Sequence, residues 1–152
     1  MIFLKELVEL QTKHNNVLSQ INLFPYNDPN DSYIEYEKVL LQYENTEDMI
    51  KEIFKLLYCN IKHKENHSIL KTNINNPYFR VFNGKEWIVE TKNIFLKLVE
   101  NIQMLVVTRL QEKQIDDSLL LKIEKIQEYK SNKVIHKTLT AMIYNFSQTN
   151  NM

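Results

Sequence analysis

Glycine is almost absent from this chain, with Gly84 alone among 152 residues. P-loops and dinucleotide-binding turns need several glycines at fixed spacing, because the backbone must approach a phosphate where a Cβ would otherwise stand, so both are excluded. Cysteine is equally scarce. Cys59 has no partner in the sequence, which rules out an internal disulfide and agrees with a reducing compartment. Arginine occurs only at positions 80 and 109, although bidentate reading of guanine or phosphate favours it over lysine. No charge of one sign dominates, since 19 basic residues balance 19 acidic ones, and the main compositional argument for a dedicated nucleic-acid binder is missing. No apolar run approaches the roughly 20 residues that span a bilayer, and Met1 to Lys5 lack the start of a signal peptide. A soluble intracellular protein without membrane contact is expected.

What is present is ordinary for a globular chain, with 43% hydrophobic and 25% charged residues. The length suits one domain. Phe3, Leu7, Leu10, Val17 and Ile21 recur at helical spacing around His14, and predict an amphipathic helix over 2–21 that packs on its own domain or self-associates. Asn22 to Ser32 is a loop with two prolines. Its Asp28, Asn30 and Ser32 alternate as in a calcium loop, but no glycine follows and Val39 stands where the closing Glu is needed, so calcium is rejected. Tyr36, Val39, Leu40 and Tyr43 fit a short helix, although Tyr33 to Leu41 also reads as a strand. Asn45 opens a firmer helix with Ile50, Ile53, Phe54 and Leu57 inward.

The stretch 65–90 reads differently. Asn83-Gly84 is the pair that best tolerates a two-residue type I′ turn, and predicts a hairpin of Tyr78 to Phe82 with Lys85 to Val89. Counting outward pairs Phe82 with Lys85, Val81 with Glu86, Arg80 with Trp87 and Phe79 with Ile88. One face then holds Phe79, Val81 and Ile88, and the other Tyr78, Arg80, Phe82, Trp87 and Val89. A third strand at Ser68 to Thr72, joined by a turn at Asn75-Asn76-Pro77, completes a small sheet. Thr91 is a candidate cap for a helix with Phe95, Leu98, Val99, Ile102, Leu105, Val106 and Leu110 inward, expected to be central. Asp116 or Asp117, then Ser131 or Asn132, cap two more, the last carrying Ile135, Leu139, Met142 and Phe146. The resulting expectation is one mostly helical α+β domain over 1–146 with a small antiparallel two- or three-stranded sheet, and a frayed polar tail over 147–152.

Three segments, INLFPYNDPNDSYI at 21–34, IKEIFKLLYCNIKHKENHSILKTN at 50–73 and PYFRVFNGKEWIVETK at 77–92, are together similar to an uncharacterised domain that recurs in proteins of large DNA viruses of the mimivirus type. There it often follows a short zinc-finger-like segment, and related proteins include some of the KilA-N kind. The finger has no counterpart here, and Lys64 stands where a proline is usual. The resemblance implies a viral accessory module, located in the host cytoplasm or the virion, with no reaction or cofactor to carry over.

Candidate sites are few. Cys59, His63 and His67 recur at steps of four and would share a face if the helix continued, but no fourth zinc ligand is evident. A buried cysteine beside partly exposed histidines is the simpler reading. His67 reads either as a catalytic base or as a ring bonding the backbone where helix gives way to strand. Tyr78, Arg80 and Trp87, with Lys71 and Lys85 nearby, suggest a protein-binding hot spot or a stacking platform for single-stranded nucleic acid. The alternative is that a helix covers this face and Arg80 stacks on Trp87. The function expected is a non-enzymatic module that binds a protein partner or itself, with nucleic-acid binding through the hairpin face as the alternative.

Overall fold

The computed structural model describes residues 22–150. The predicted helix over 2–21, with its self-association seam, lies outside them. The described chain runs through α1 (Tyr36–Gln42), α2 (Thr46–Tyr58), a 3-10 turn (Lys64–Asn66), β1 (Ile69–Leu70), β2 (Tyr78–Phe82), β3 (Trp87–Thr91), α3 (Ile94–Leu110), α4 (Asp117–Glu128) and α5 (Lys133–Asn150). The sheet is antiparallel, in the order β1-β2-β3. This is the mostly helical α+β architecture that the sequence predicts. No described helix is long and apolar enough to cross a membrane.

Helix starts follow local chemistry where a short acceptor is free to turn inward. Asn45 Oδ1 accepts from Glu47 N at 2.8 Å, and Asp116 Oδ1 from Leu119 N at 2.8 Å. Asn132 Oδ1 receives both Val134 N and Ile135 N, at 2.9 and 3.1 Å, satisfying donors that the helix itself leaves unpaired. Thr91 does not cap α3. It ends β3, and α3 begins after Asn93 without a side-chain cap.

The core is shared by α2 and α3, each packed against every other described helix, so α3 is not the sole centre. α2 buries Met49, Ile50, Ile53, Phe54, Leu57 and Tyr58, and α3 buries Ile94, Phe95, Leu98, Val99, Ile102, Val106 and Leu110. The sheet turns Ile69, Phe79 and Val81 inward, where Phe79 meets Phe95 edge to face at 5.1 Å between centroids. The last helix continues past Phe146 instead of fraying there. Ser147 is buried and its Oγ accepts from Lys71 N at 3.0 Å, while Gln148 Nε2 donates to Thr72 O at 3.3 Å. A polar ending is held because it pairs the backbone of the two residues just after β1.

The hairpin register differs from the sequence prediction by two residues. Phe82 pairs with Trp87, Val81 with Ile88, Arg80 with Val89, Phe79 with Glu90 and Tyr78 with Thr91. A type I′ turn needs positive φ at both central residues, and only Gly84, at φ 101°, has it. Asn83 instead folds its side chain over a four-residue loop: Oδ1 accepts from Lys85 N and Glu86 N, both at 2.9 Å, and Asn83 N donates to Glu86 O at 3.1 Å. A slip of two keeps every side chain on its predicted face. It does move Arg80 away from its position opposite Trp87, and Trp87 meets Phe82 at 5.8 Å instead.

Candidate interaction surface

The outward face of the sheet is built from three cross-strand rows, Tyr78 with Thr91, Leu70 with Arg80 and Val89, and Phe82 with Trp87. No described helix covers it. Tyr78 is 54% exposed, Val89 62%, and Arg80 is exposed as well. Phe82, Trp87 and Leu70 are half-buried. Of the predicted site residues, Tyr78, Arg80 and Trp87 therefore share one open surface, with exposed Lys85 in the loop at its end.

Lys71 does not join them. It is 2% exposed, and its ammonium donates to the carbonyl of Asn76, to Asn76 Oδ1 at 3.2 Å and to the carbonyl of Tyr78 at 2.8 Å. It also sits 4.7 Å over the ring of Phe79. Burial holds its pKa below the ordinary lysine value. Alternation from Ile69 places residue 71 on the inward face, where the Asn76 and Tyr78 carbonyls compensate the buried ammonium. Its role is to tie down the β1–β2 connection.

His67 lies apart from the open face as well. Its Nε2 donates to Asn60 O at 2.7 Å, and its ring meets Phe146 edge to face at 4.8 Å. This is the backbone-bonded arrangement, and burial lowers its pKa below the usual histidine value. Cys59 and His63 diverge from it because α2 ends at Tyr58. Cys59 Sγ points to Met142 O at 3.9 Å and burial pushes its thiol up to about 12. His63 stacks flat on Tyr33 at 3.3 Å and meets Glu65 Oε1 at 2.9 Å. Among the described residues no group of three or more His, Cys, Asp or Glu is arranged to hold a metal ion.

Two polar assemblies are missing from the sequence reading. Asn66, fully buried, exchanges hydrogen bonds with the backbone of Asn30: Asn30 N donates to Oδ1 at 2.8 Å and Nδ2 donates to Asn30 O at 2.6 Å. The same Nδ2 reaches the Tyr33 hydroxyl at 3.1 Å, while Phe24 N donates to Glu65 O at 2.8 Å. The Glu65-Asn66-His67 step is thus a clasp that holds the 22–34 loop against the end of α2 and the entry to β1. Asn30 and Asn66 are 36 residues apart, and nothing in local pattern links them.

The second assembly is Asp31, buried, forked by Arg109 Nε and Nη2 at 2.8 Å each and by the Tyr36 hydroxyl at 2.8 Å. It borders an open concavity of about 570 Å³ whose charged lining includes Asp28 and Lys113. Burial pushes the Asp31 carboxyl up, but the Arg109 fork and the Tyr36 hydroxyl more than offset this and leave it below the usual carboxylate value. A carboxylate with a depressed folded pKa stabilises the fold above its unfolded value of about 3.9, and that contribution is lost as pH falls through the folded pKa. Asp31→Asn is therefore expected to cost about 1–2 kcal/mol at neutral pH, discounted for the half-exposed Arg109 side chain. Urea unfolding of both proteins across pH checks this; the gap should close below about pH 4, and a gap that stays constant into acid contradicts it.

No protein-family model, curated protein or solved structure matches this chain.

Proposed function

We propose that the protein is a non-enzymatic interaction module that binds a protein partner or itself through the outward face of its sheet. The supporting observation is that face: aromatic and β-branched side chains in adjacent rows, with Tyr78 and Val89 more than half exposed and Arg80 opposite Val89 in the row next to Tyr78. Tyrosine and tryptophan contribute large contact area at low entropic cost, and together with arginine they dominate binding energy at protein interfaces. The resemblance to the domain of large DNA viruses supplies the proposed setting, an accessory protein acting in the host cytoplasm or carried in the virion.

Nucleic-acid binding is the second reading, favoured by Arg80 lying between the rows of Tyr78 and Phe82. From 59 to 100 the chain has seven Lys or Arg against four Glu, but the inward turn of Lys71 removes one of those charges from the surface. Titration of labelled single- and double-stranded DNA at low salt separates the two readings. No binding is expected; binding that weakens steeply with salt and is lost in Arg80→Ala replaces the first reading with the second. For the protein reading, capture with the full chain is expected to retain a partner in fixed stoichiometry, reduced about tenfold or more in Tyr78→Ser and Trp87→Ser. A partner retained equally by both variants rules out this face.

A further inference from the structure

The two edges of the sheet are finished differently. Just past β1 the end of α5 bonds the backbone, with Ser147 accepting from Lys71 N and Gln148 donating to Thr72 O. At β3 no described residue does the same. Phe82 directs its N–H to Ser68 O and receives Tyr26 N on its carbonyl, both on the β1 side, while Asn83 N bonds Glu86 O across the hairpin. By the alternation of an antiparallel ladder, Ile88 and Glu90 then bond β2, and Trp87, Val89 and Thr91 turn their N–H and C=O groups outward. None of these three has a backbone hydrogen-bonding partner on that side among the described residues. Natural edge strands are usually blunted by proline, lysine or a bulge. Trp87–Thr91 reads WIVET and pairs with β2 without a break.

We propose that this edge pairs with the same edge of a second copy, antiparallel about a two-fold axis at Val89, joining two three-stranded sheets into one of six strands. This rests on the reading of the protein as an interaction module and names its partner. A two-fold pairing of this strand has three near-central registers, and charge separates them. Centred on Ile88, Glu86 faces Glu90 of the second copy; centred on Glu90, that carboxylate faces its own counterpart. Like charges directly opposite are unfavourable. Centred on Val89, the outward groups of Trp87 meet those of Thr91, Val89 meets Val89, Ile88 lies beside Glu90, and Glu86 comes opposite Lys92 at both ends. Glu86, Val89 and Lys92 are all exposed in the single chain. The arrangement is isologous and closes after two copies, and it makes the open faces of the two sheets continuous.

The test combines sedimentation with zero-length carbodiimide cross-linking of a mixture of ordinary and 15N-labelled full chain. A concentration-dependent monomer–dimer equilibrium is expected, with a mixed-isotope cross-link between Glu86 and Lys92. Six residues of extended strand separate these two by about 20 Å within one chain, so their direct linkage reports the second copy. Val89→Lys, which puts like charges on the axis, and Val89→Pro, which removes the central N–H, are expected to weaken dimerisation about tenfold or more. Both are expected to keep the fold by circular dichroism, because Val89 faces solvent. A protein that stays monomeric at all concentrations overturns the proposal, as does a dimer untouched by Val89→Lys. If a monomer still captures a partner through Tyr78 and Trp87, the dimer fails and the interaction module stands; if the dimer forms but the face captures nothing else, the dimer itself is the interaction.

Discussion

Phe95→Ala is expected to destabilise the protein by about 3–5 kcal/mol, the largest effect of any single truncation considered. The ring is fully buried and contacts three other elements: Phe54 of α2 at 6.2 Å, Phe79 of β2 at 5.1 Å and His136 of α5 at 6.0 Å between centroids. Truncation removes buried apolar area, leaves a cavity between layers that cannot all move inward, and breaks aromatic pairs worth about 0.5–1.5 kcal/mol each beyond their area. A domain of this size has about 5–15 kcal/mol in total, so the variant should melt roughly 10 °C or more below the parent. Phe95→Leu retains most of the volume and is expected to lose about 1–2 kcal/mol. Thermal and urea unfolding of the three proteins measures both values. No loss in Phe95→Leu would mean that the aromatic junction adds nothing beyond volume, and a loss equal to that of Phe95→Ala would mean that the ring contacts carry the whole effect.

Asn66→Ala is expected to cost roughly 2–4 kcal/mol, because the residue pairs both backbone groups of Asn30 and no other described residue does so. Without it the N–H and C=O of Asn30 lose the amide that pairs both of them at once. The loss is local before it is global: amides of the 22–34 loop should exchange faster while α3 stays protected. Asn66→Asp makes a sharper test. It keeps an acceptor for Asn30 N but places a carboxylate against Asn30 O, so it is expected to be nearly as damaging at neutral pH and milder in acid, where the protonated group can donate. A pH-independent loss in Asn66→Asp contradicts the assigned direction of these bonds.

How far the chain can be read without coordinates varies by residue. Helical seams are a local property, and Ile50, Ile53, Phe54 and Leu57 of α2 and most of the inward residues of α3 follow from spacing alone. The face assignment of the hairpin survived a wrong turn because the slip is even; a slip of one would have exchanged core and surface. Local pattern failed where a distant partner decides. Lys71 is inside because the Asn76 and Tyr78 carbonyls receive its ammonium. Ser147 is helical and buried because Lys71 N needs an acceptor 76 residues away. Asp31 and Arg109 form their fork across 78 residues, and neither has a helical or strand periodicity that announces the other.

The same division applies to the candidate surface. Composition and the Asn-Gly pair by themselves determine that a short sheet interrupts a helical chain, that Tyr78, Arg80 and Trp87 share one of its faces, and that phosphate loops and disulfides are excluded. Only the tertiary structure decides that no described helix covers this face, that Lys71 and His67 lie elsewhere, and that α5 bonds the backbone just past β1 while no described residue pairs the outer edge of β3. The physical reason is that which side chains share a face depends on neighbours two to four residues apart, whereas what covers that face or satisfies a buried donor depends on contacts made between segments dozens of residues apart.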